Sequence, residues 1–151
     1  MKTSLSLFGI EDEIKQWLKE DIGSGDITTL ATVPAGSTTR AIIHAKKPGI
    51  LAGVDLAREV FHALDPSLKF TAILEDGAEM DATSVIATVE GDAQAILTGE
   101  RLSLNLLQHL SGVATRTHQL AELIKPYRAK LVDTRKTTPG MRRLEKYAVR
   151  V

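Results

Sequence analysis

Apolar and polar positions along this chain follow two different periods, and each change of period marks an element. From Glu11 to Asp21, Ile14, Trp17 and Leu18 recur at helical spacing among charged residues, which predicts an amphipathic helix ending at Gly23. Residues 38–46 hold Ala41, Ile42 and Ile43 in a strand-like run, and Pro48-Gly49 turns the chain into a second short apolar segment, Ile50-Leu51-Ala52. Asp55 reads as the N-cap of a helix whose inner stripe is Leu56, Val60, Phe61 and Leu64. Further strands are expected at 68–74, 85–89 and 93–97, separated by Asp76-Gly77 and Gly91-Asp92. This part of the chain is a small α+β unit of short strands and helices.

Between residues 99 and 124 the pattern becomes one long helix. Leu106, Leu107, Leu110, Val113, Ala114, Leu120, Ala121 and Ile124 share one face, and Arg101, Asn105, Gln108, Gly112, Arg116 and Gln119 share the other. That polar face is built from hydrogen-bonding groups suited to a ligand or a second subunit, and equally from groups a solvated face accepts. Pro126 stops the helix, Leu131 and Val132 have the character of a buried strand, and residues 145–150 start another helix.

The strand at Leu131-Val132 runs into a loop, Asp133-Thr134-Arg135-Lys136-Thr137-Thr138-Pro139-Gly140, followed by Arg142 and Arg143 in the first turn of the last helix. The macrodipole disfavours cations there by about 0.3 to 1 kcal/mol each. In parallel α/β architectures ligands collect at the carboxyl ends of strands, so the cluster reads as an anion site, with a solvated turn as the plain alternative.

Composition narrows the function classes. The chain has 151 residues, 43% of them hydrophobic, and 19 basic against 19 acidic side chains, so no overall basic field points to nucleic acid. There is no cysteine, which excludes disulfides, thiolate metal sites and a cysteine nucleophile. No apolar run reaches membrane-spanning length, and Met1-Lys2-Thr3-Ser4 carries no signal core, so a cytoplasmic protein without a membrane partner is expected. The acidic, glycine-rich stretch Glu20–Thr29 lacks the lysine of a P-loop; it reads either as a cation-holding loop or as a helix C-cap followed by a tight turn. His44 and His62 have no metal-ligand spacing and read as surface or core-edge residues.

Four stretches, in order, carry a family resemblance: Glu20-Asp21 through Gly25-Asp26-Ile27-Thr28-Thr29; Gly49-Ile50-Leu51-Ala52-Gly53; Leu97-Thr98-Gly99-Glu100-Arg101 with Asn105 and Leu110 to Thr115; and Asp133 to Gly140 with Leu144-Glu145-Lys146-Tyr147-Ala148-Val149-Arg150. The chain resembles the N-terminal half of quinolinate phosphoribosyltransferases, also called carboxylating nicotinate-nucleotide pyrophosphorylases, transferases of NAD biosynthesis. The resemblance implies an α+β N-terminal domain at residues 1–110. Residues 111–151 would then be the first elements of an incomplete, truncated α/β barrel. It implies a homodimer that transfers phosphoribose from phosphoribosyl pyrophosphate, held with Mg2+, to quinolinate, giving nicotinate mononucleotide, pyrophosphate and carbon dioxide. Arg101, Thr134, Arg135 and Lys136 match the family's substrate-binding residues, whereas no catalytic residue is assigned. The Mg2+ ligands, with a His-Arg pair and a further lysine, belong to strands after Val151, so this chain alone is expected not to complete the reaction.

Three alternatives accompany that reading. A related phosphoribosyltransferase-like protein linked to molybdenum transport shares much of the Thr-Arg-Lys-Thr pattern. The strands at 68–97 could form a non-catalytic barrel-sandwich binding module, although no hairpin-tip lysine marks a carrier. The chain could also be an interaction fragment that pairs through the helix at 99–124.

Overall fold

The computed structural model describes residues 5–7 and 9–151. The expectation about Met1–Ser4 therefore lies outside the described residues. Helix α1 (Ile10–Ile22) buries Ile10, Ile14 and Leu18 and ends at Gly23, whose φ of 57° lies in the left-handed region. The acidic, glycine-rich stretch is thus a C-cap followed by a new helix start. Asp26 caps α2 (Ile27–Thr32), a short helix that periodicity alone does not predict, by accepting the Thr29 N–H at 3.2 Å and the Thr29 hydroxyl at 2.7 Å.

Strands β1 (Thr38–His44), β3 (Lys69–Ala72) and β5 (Val85–Asp92) form an antiparallel sheet in the order β1-β5-β3, and β2 (Gly49–Ile50) pairs with β4 (Glu79–Met80). The central strand buries Ile86, Ala87, Thr88 and Val89 in succession, so it is covered on both faces. Helix α3 (Val54–Leu64) packs Phe61 against Phe70 of β3, with ring centroids 6.1 Å apart. His62 is at the core edge, its Nε2 3.1 Å from the Leu68 carbonyl.

Helix α4 (Ala93–Ile124) begins six residues before the predicted start. The stretch 93–97, expected as a strand, is helical. Asp92 accepts the Ala95 N–H at 2.8 Å, and this cap turns the end of β5 directly into the helix. Leu102, Leu106, Leu107, Leu110 and Ala114 are buried, whereas burial lapses towards the C-terminus, with Ala121 and Leu123 exposed. All six residues of the predicted polar face are exposed. Among the described residues no helix is long and apolar enough to cross a membrane.

The strand expected at Leu131-Val132 does not form, and Val132 is 80% exposed. A strand needs a hydrogen-bonded neighbour, and none lies beside this segment. The chain instead runs through the polar loop into α5 (Arg142–Arg150), which buries Leu144, Tyr147 and Ala148 against the cluster shared by α1, α3 and α4.

Side chains of α4 cover the backbone of the Gly49–Gly53 turn. The Ile50 N–H donates to the Thr115 hydroxyl at 2.8 Å and the Ala52 N–H to the Ser111 hydroxyl at 3.0 Å, while the intervening Leu51 N–H donates to the Ala78 carbonyl. A Cβ at Gly49 would stand 2.6 Å from Thr115 Oγ1, so this approach requires glycine.

Asp55 is not the N-cap of α3. That position is Gly53 at φ 103°, and the cap arrives from the loop before β4: Asp76 accepts the Gly53 and Val54 N–H groups, each at 2.9 Å, and the Tyr147 hydroxyl at 2.5 Å. A remote carboxylate wins because two amides converge on it where a glycine has no side chain to offer. Burial, reinforced by the Asp76 hydrogen bond, pushes the Tyr147 phenol far above its usual range.

Asp76→Ala leaves two amides and a buried phenol without an acceptor, and is expected to cost about 2 to 4 kcal/mol in urea unfolding. Tyr147→Phe is expected to cost about 1 to 2 kcal/mol. Because the folded state favours the neutral phenol, Tyr147's contribution is complete below pH 10.0, the ordinary phenol value, and falls as pH rises above it. The difference in urea midpoint between the wild type and Tyr147→Phe should therefore shrink in alkali; a constant difference would refute the buried Tyr147–Asp76 bond.

Candidate functional site

The exposed polar loop at 133–140 is held by α5 through side-chain bonds. Arg142 Nε donates to Thr137 Oγ1 at 3.1 Å and its Nη2 to the Arg135 carbonyl at 3.2 Å. Lys146 Nζ donates to Asp133 Oδ2 at 2.6 Å. Glu145 Oε2 accepts the Thr138 N–H at 3.2 Å, and its Oε1 lies 3.0 Å from His109 Nε2 on α4. Within the loop, the Lys136 N–H donates to Thr134 Oγ1 at 3.1 Å. Hydrogen bonding from Thr138, supplemented by His109, holds the Glu145 carboxyl below its ordinary range despite partial burial.

These bonds fix the backbone and leave two cations free. The side chains of Arg135 and Lys136 have no carboxylate partner among the described residues, and both residues are exposed. Arg143, by contrast, reaches Glu13 of α1 at 3.6 Å. Thr134 and Lys136 line a pocket of about 250 Å³ whose apolar wall is Val113, Leu120 and Val149.

Arg101 lies elsewhere. It lines a larger cleft of about 830 Å³ with Trp17, Asp21, Asn105, Gln108 and His109, closed on one side by Thr138 and Met141. Its Nε is 3.3 Å from Asp21 Oδ1 and its Nη2 is 3.9 Å from Asp26 Oδ2. The Asp26 carboxyl is held below its usual range chiefly by the Thr29 hydrogen bonds, and Arg101 adds to the effect. One chain thus brings Thr134 and Lys136 to one pocket and carries Arg135 on the same loop, but sets Arg101 in a neighbouring cleft. Glu145 stands between the two: it lines the pocket of Thr134 and Lys136, while both residues it bonds, His109 and Thr138, line the cleft of Arg101.

A third cleft, about 650 Å³, lies between the β1–β2 turn and α4, with Lys46, Lys47 and Arg116 at its edge and Ile43, Met80 and Leu107 in its floor. Among the described residues no three histidine, aspartate or glutamate side chains are grouped to hold a metal ion.

Sequence reasoning counted Arg142 among the cations of an anion site, whereas it braces the loop, and did not connect Glu145 or Lys146 with the loop. Their spacing of three and four residues places them on one side of α5, opposite Leu144 and Ala148, and that periodicity was the available signal.

Comparison with known proteins gives the chain a family. The family description "Quinolinate phosphoribosyl transferase, N-terminal domain" matches residues 26–111, and "Quinolinate phosphoribosyl transferase, C-terminal domain" matches residues 113–151. A Synechocystis protein named "Probable nicotinate-nucleotide pyrophosphorylase [carboxylating]" is 44% identical over 142 residues, covering 94% of this chain and 48% of the relative. The nicotinate-nucleotide pyrophosphorylase [carboxylating] of Mycobacterium leprae is 43% identical, covering 93% of this chain and 50% of the relative. The crystal structure of NadC from Streptococcus pyogenes superposes with a TM-score of 0.94 at 38% identity, over 99% of this chain and 53% of that one. The chain therefore spans about half the length of these relatives, and its mixture of small sheets and helices is theirs. By the match of the N-terminal family description to more than half of its residues, this chain belongs to the quinolinate phosphoribosyltransferase family.

Proposed function

We propose that this chain provides the quinolinate-holding part of a phosphoribosyltransferase. The reaction joins phosphoribose from phosphoribosyl pyrophosphate to the ring nitrogen of quinolinate and releases pyrophosphate and carbon dioxide, leaving nicotinate mononucleotide. One observation carries the reading: among the described residues, Arg135 and Lys136 stand without carboxylate partners on a loop whose backbone is fixed from α5. Quinolinate presents two adjacent carboxylates. A guanidinium pairs with a carboxylate bidentately, which orients the ring as well as holding it. Lys136 supplies a compact charge where negative charge develops on the departing pyrophosphate, and Thr134 a hydroxyl beside it. Such a reaction depends on positioning and charge stabilisation more than on a protein nucleophile.

Arg101 contributes to the same reading through a second copy of the chain. Its guanidinium is largely exposed where it meets Asp21 and Asp26, and its contact with Asp26 is long, so a substrate carboxylate can displace these partners. Because Arg101 and Lys136 line different clefts, a homodimer that sets one chain's Arg101 against the other's loop assembles all four residues at one substrate. In this arrangement residues 1–110 form one domain and residues 111–151 open the next. Mg2+ is expected to arrive with the diphosphate as part of the substrate; no described cluster fits it as a resident ion, and no step is assigned to it.

Titration of quinolinate into the purified chain tests the reading. Arg135→Ala is expected to weaken binding by about 2 to 5 kcal/mol, the range for truncating one partner of a charge pair. Equal affinity in the variant would refute the assignment of the loop. Light scattering should give the mass of two chains, and a monomer that still binds quinolinate with unaltered dependence on Arg101 would refute the shared site.

A further inference from the structure

Residues 133–136 are all exposed, so no buried side chain anchors the segment that carries Arg135 and Lys136. Its conformation rests on polar bonds from α5, and α5 is itself fixed by the buried Leu144, Tyr147 and Ala148. Glu145 occupies the junction. Its side chain is only 14% exposed, which separates it from a loose surface ion pair, and its two oxygens bind two different elements. One faces His109 on α4; the other takes the N–H of Thr138, the residue before Pro139. A residue before proline is confined to extended conformations, and Gly140 follows at φ 79°, so fixing the Thr138 amide fixes the turn that aims the loop. Arg142 holds the other side of the same turn through the Thr137 hydroxyl and the carbonyl of Arg135 itself.

We propose that Glu145, supported by Arg142, is a positioning residue for substrate: it ties α4 and α5 to the Thr138 amide and so holds the Arg135 and Lys136 side chains where a dicarboxylate can meet them. Neither residue touches the substrate. The inference rests on the loop being the quinolinate site, and it adds that the affinity of that site is set by a carboxylate outside it. A glutamine at 145 retains an oxygen for the Thr138 N–H and a donor for His109, whereas alanine retains neither. The lowered pKa of Glu145 agrees with a carboxylate whose partners favour its charged form.

Amide hydrogen exchange across residues 134–138, together with quinolinate titration, tests the proposal on the wild type, Glu145→Ala, Glu145→Gln and Arg142→Gln. In Glu145→Ala the Thr138 amide is expected to exchange about tenfold faster and quinolinate to bind about tenfold more weakly, with the urea midpoint of the whole chain little changed. Glu145→Gln should restore both values to near those of the wild type, which a charge-dependent contact with substrate would not do. If Glu145→Ala fails to fold, Arg142→Gln decides, since Arg142 is exposed and its loss should loosen the loop and weaken binding in the same direction. Wild-type binding with undiminished affinity in the loosened variants would overturn the positioning role and leave the substrate site standing. Absence of quinolinate binding by the wild type would overturn both.

Discussion

The carboxylate of Asp76 is the point on which the two halves of this structure depend. It accepts two amides at the start of α3 and the phenol of α5, groups separated by more than 90 residues of sequence. Around Gly53 the backbone takes a left-handed turn against Leu110, so no side chain at the cap position itself can satisfy those amides. Asp76 does so from another loop and fixes α3 to the β2–β4 pair. The same atom holds Tyr147 and so the angle of α5. Everything α5 then grips, from Asp133 to Thr138, inherits its position from that carboxylate.

A second constraint runs along α4. Two of its hydroxyl residues, Ser111 and Thr115, satisfy alternate amides of the Gly49–Gly53 turn, while the intervening amide bonds to the β4 side. The helix thus completes an edge that two residues of strand could not close by themselves. Buried leucines hold α4 down as far as Ala114, and beyond that point its apolar positions are increasingly exposed. The polar loop therefore gains its order from α5 and from His109, not from the distal end of α4.

Much of this was legible in the sequence because it is local. Ile14 and Leu18 marked α1, Gly23 marked its end, and the stripe from Leu106 to Ala114 marked the packed face of α4. The failures share a cause. Asp55 lost the capping role to Asp76, 23 residues from the amide it meets, and the hydroxyls of Ser111 and Thr115 find partners 59 and 65 residues away. No periodicity encodes such pairs. Residues 93–97 form a short, mostly apolar run whose type is ambiguous by itself, and the Asp92 cap makes it helical. Leu131 and Val132 have a strand's composition, but hydrogen-bonded neighbours, which composition cannot supply, decide whether a strand exists. Of the four expected site residues, Thr134, Arg135 and Lys136 are neighbours in the linear motif, whereas the spatial separation of Arg101 from them belongs to tertiary structure.

The charge pattern of the loop leaves two of its cations without an ion pair among the described residues. Arg142 and Arg143 sit in the first turn of α5, where a cation is disfavoured by about 0.3 to 1 kcal/mol, and each has a compensating contact: Arg142 donates to a carbonyl and a hydroxyl, and Arg143 approaches Glu13. Glu145 is satisfied by an amide and a histidine, and Asp133 by Lys146, so neither local carboxylate turns to Arg135 or Lys136. Had either done so, a dicarboxylate ligand would first have to break an internal ion pair. Pairing the surrounding charges with one another leaves these two cations uncompensated on a fixed backbone, and the attraction they retain is available to an anion that arrives from solution.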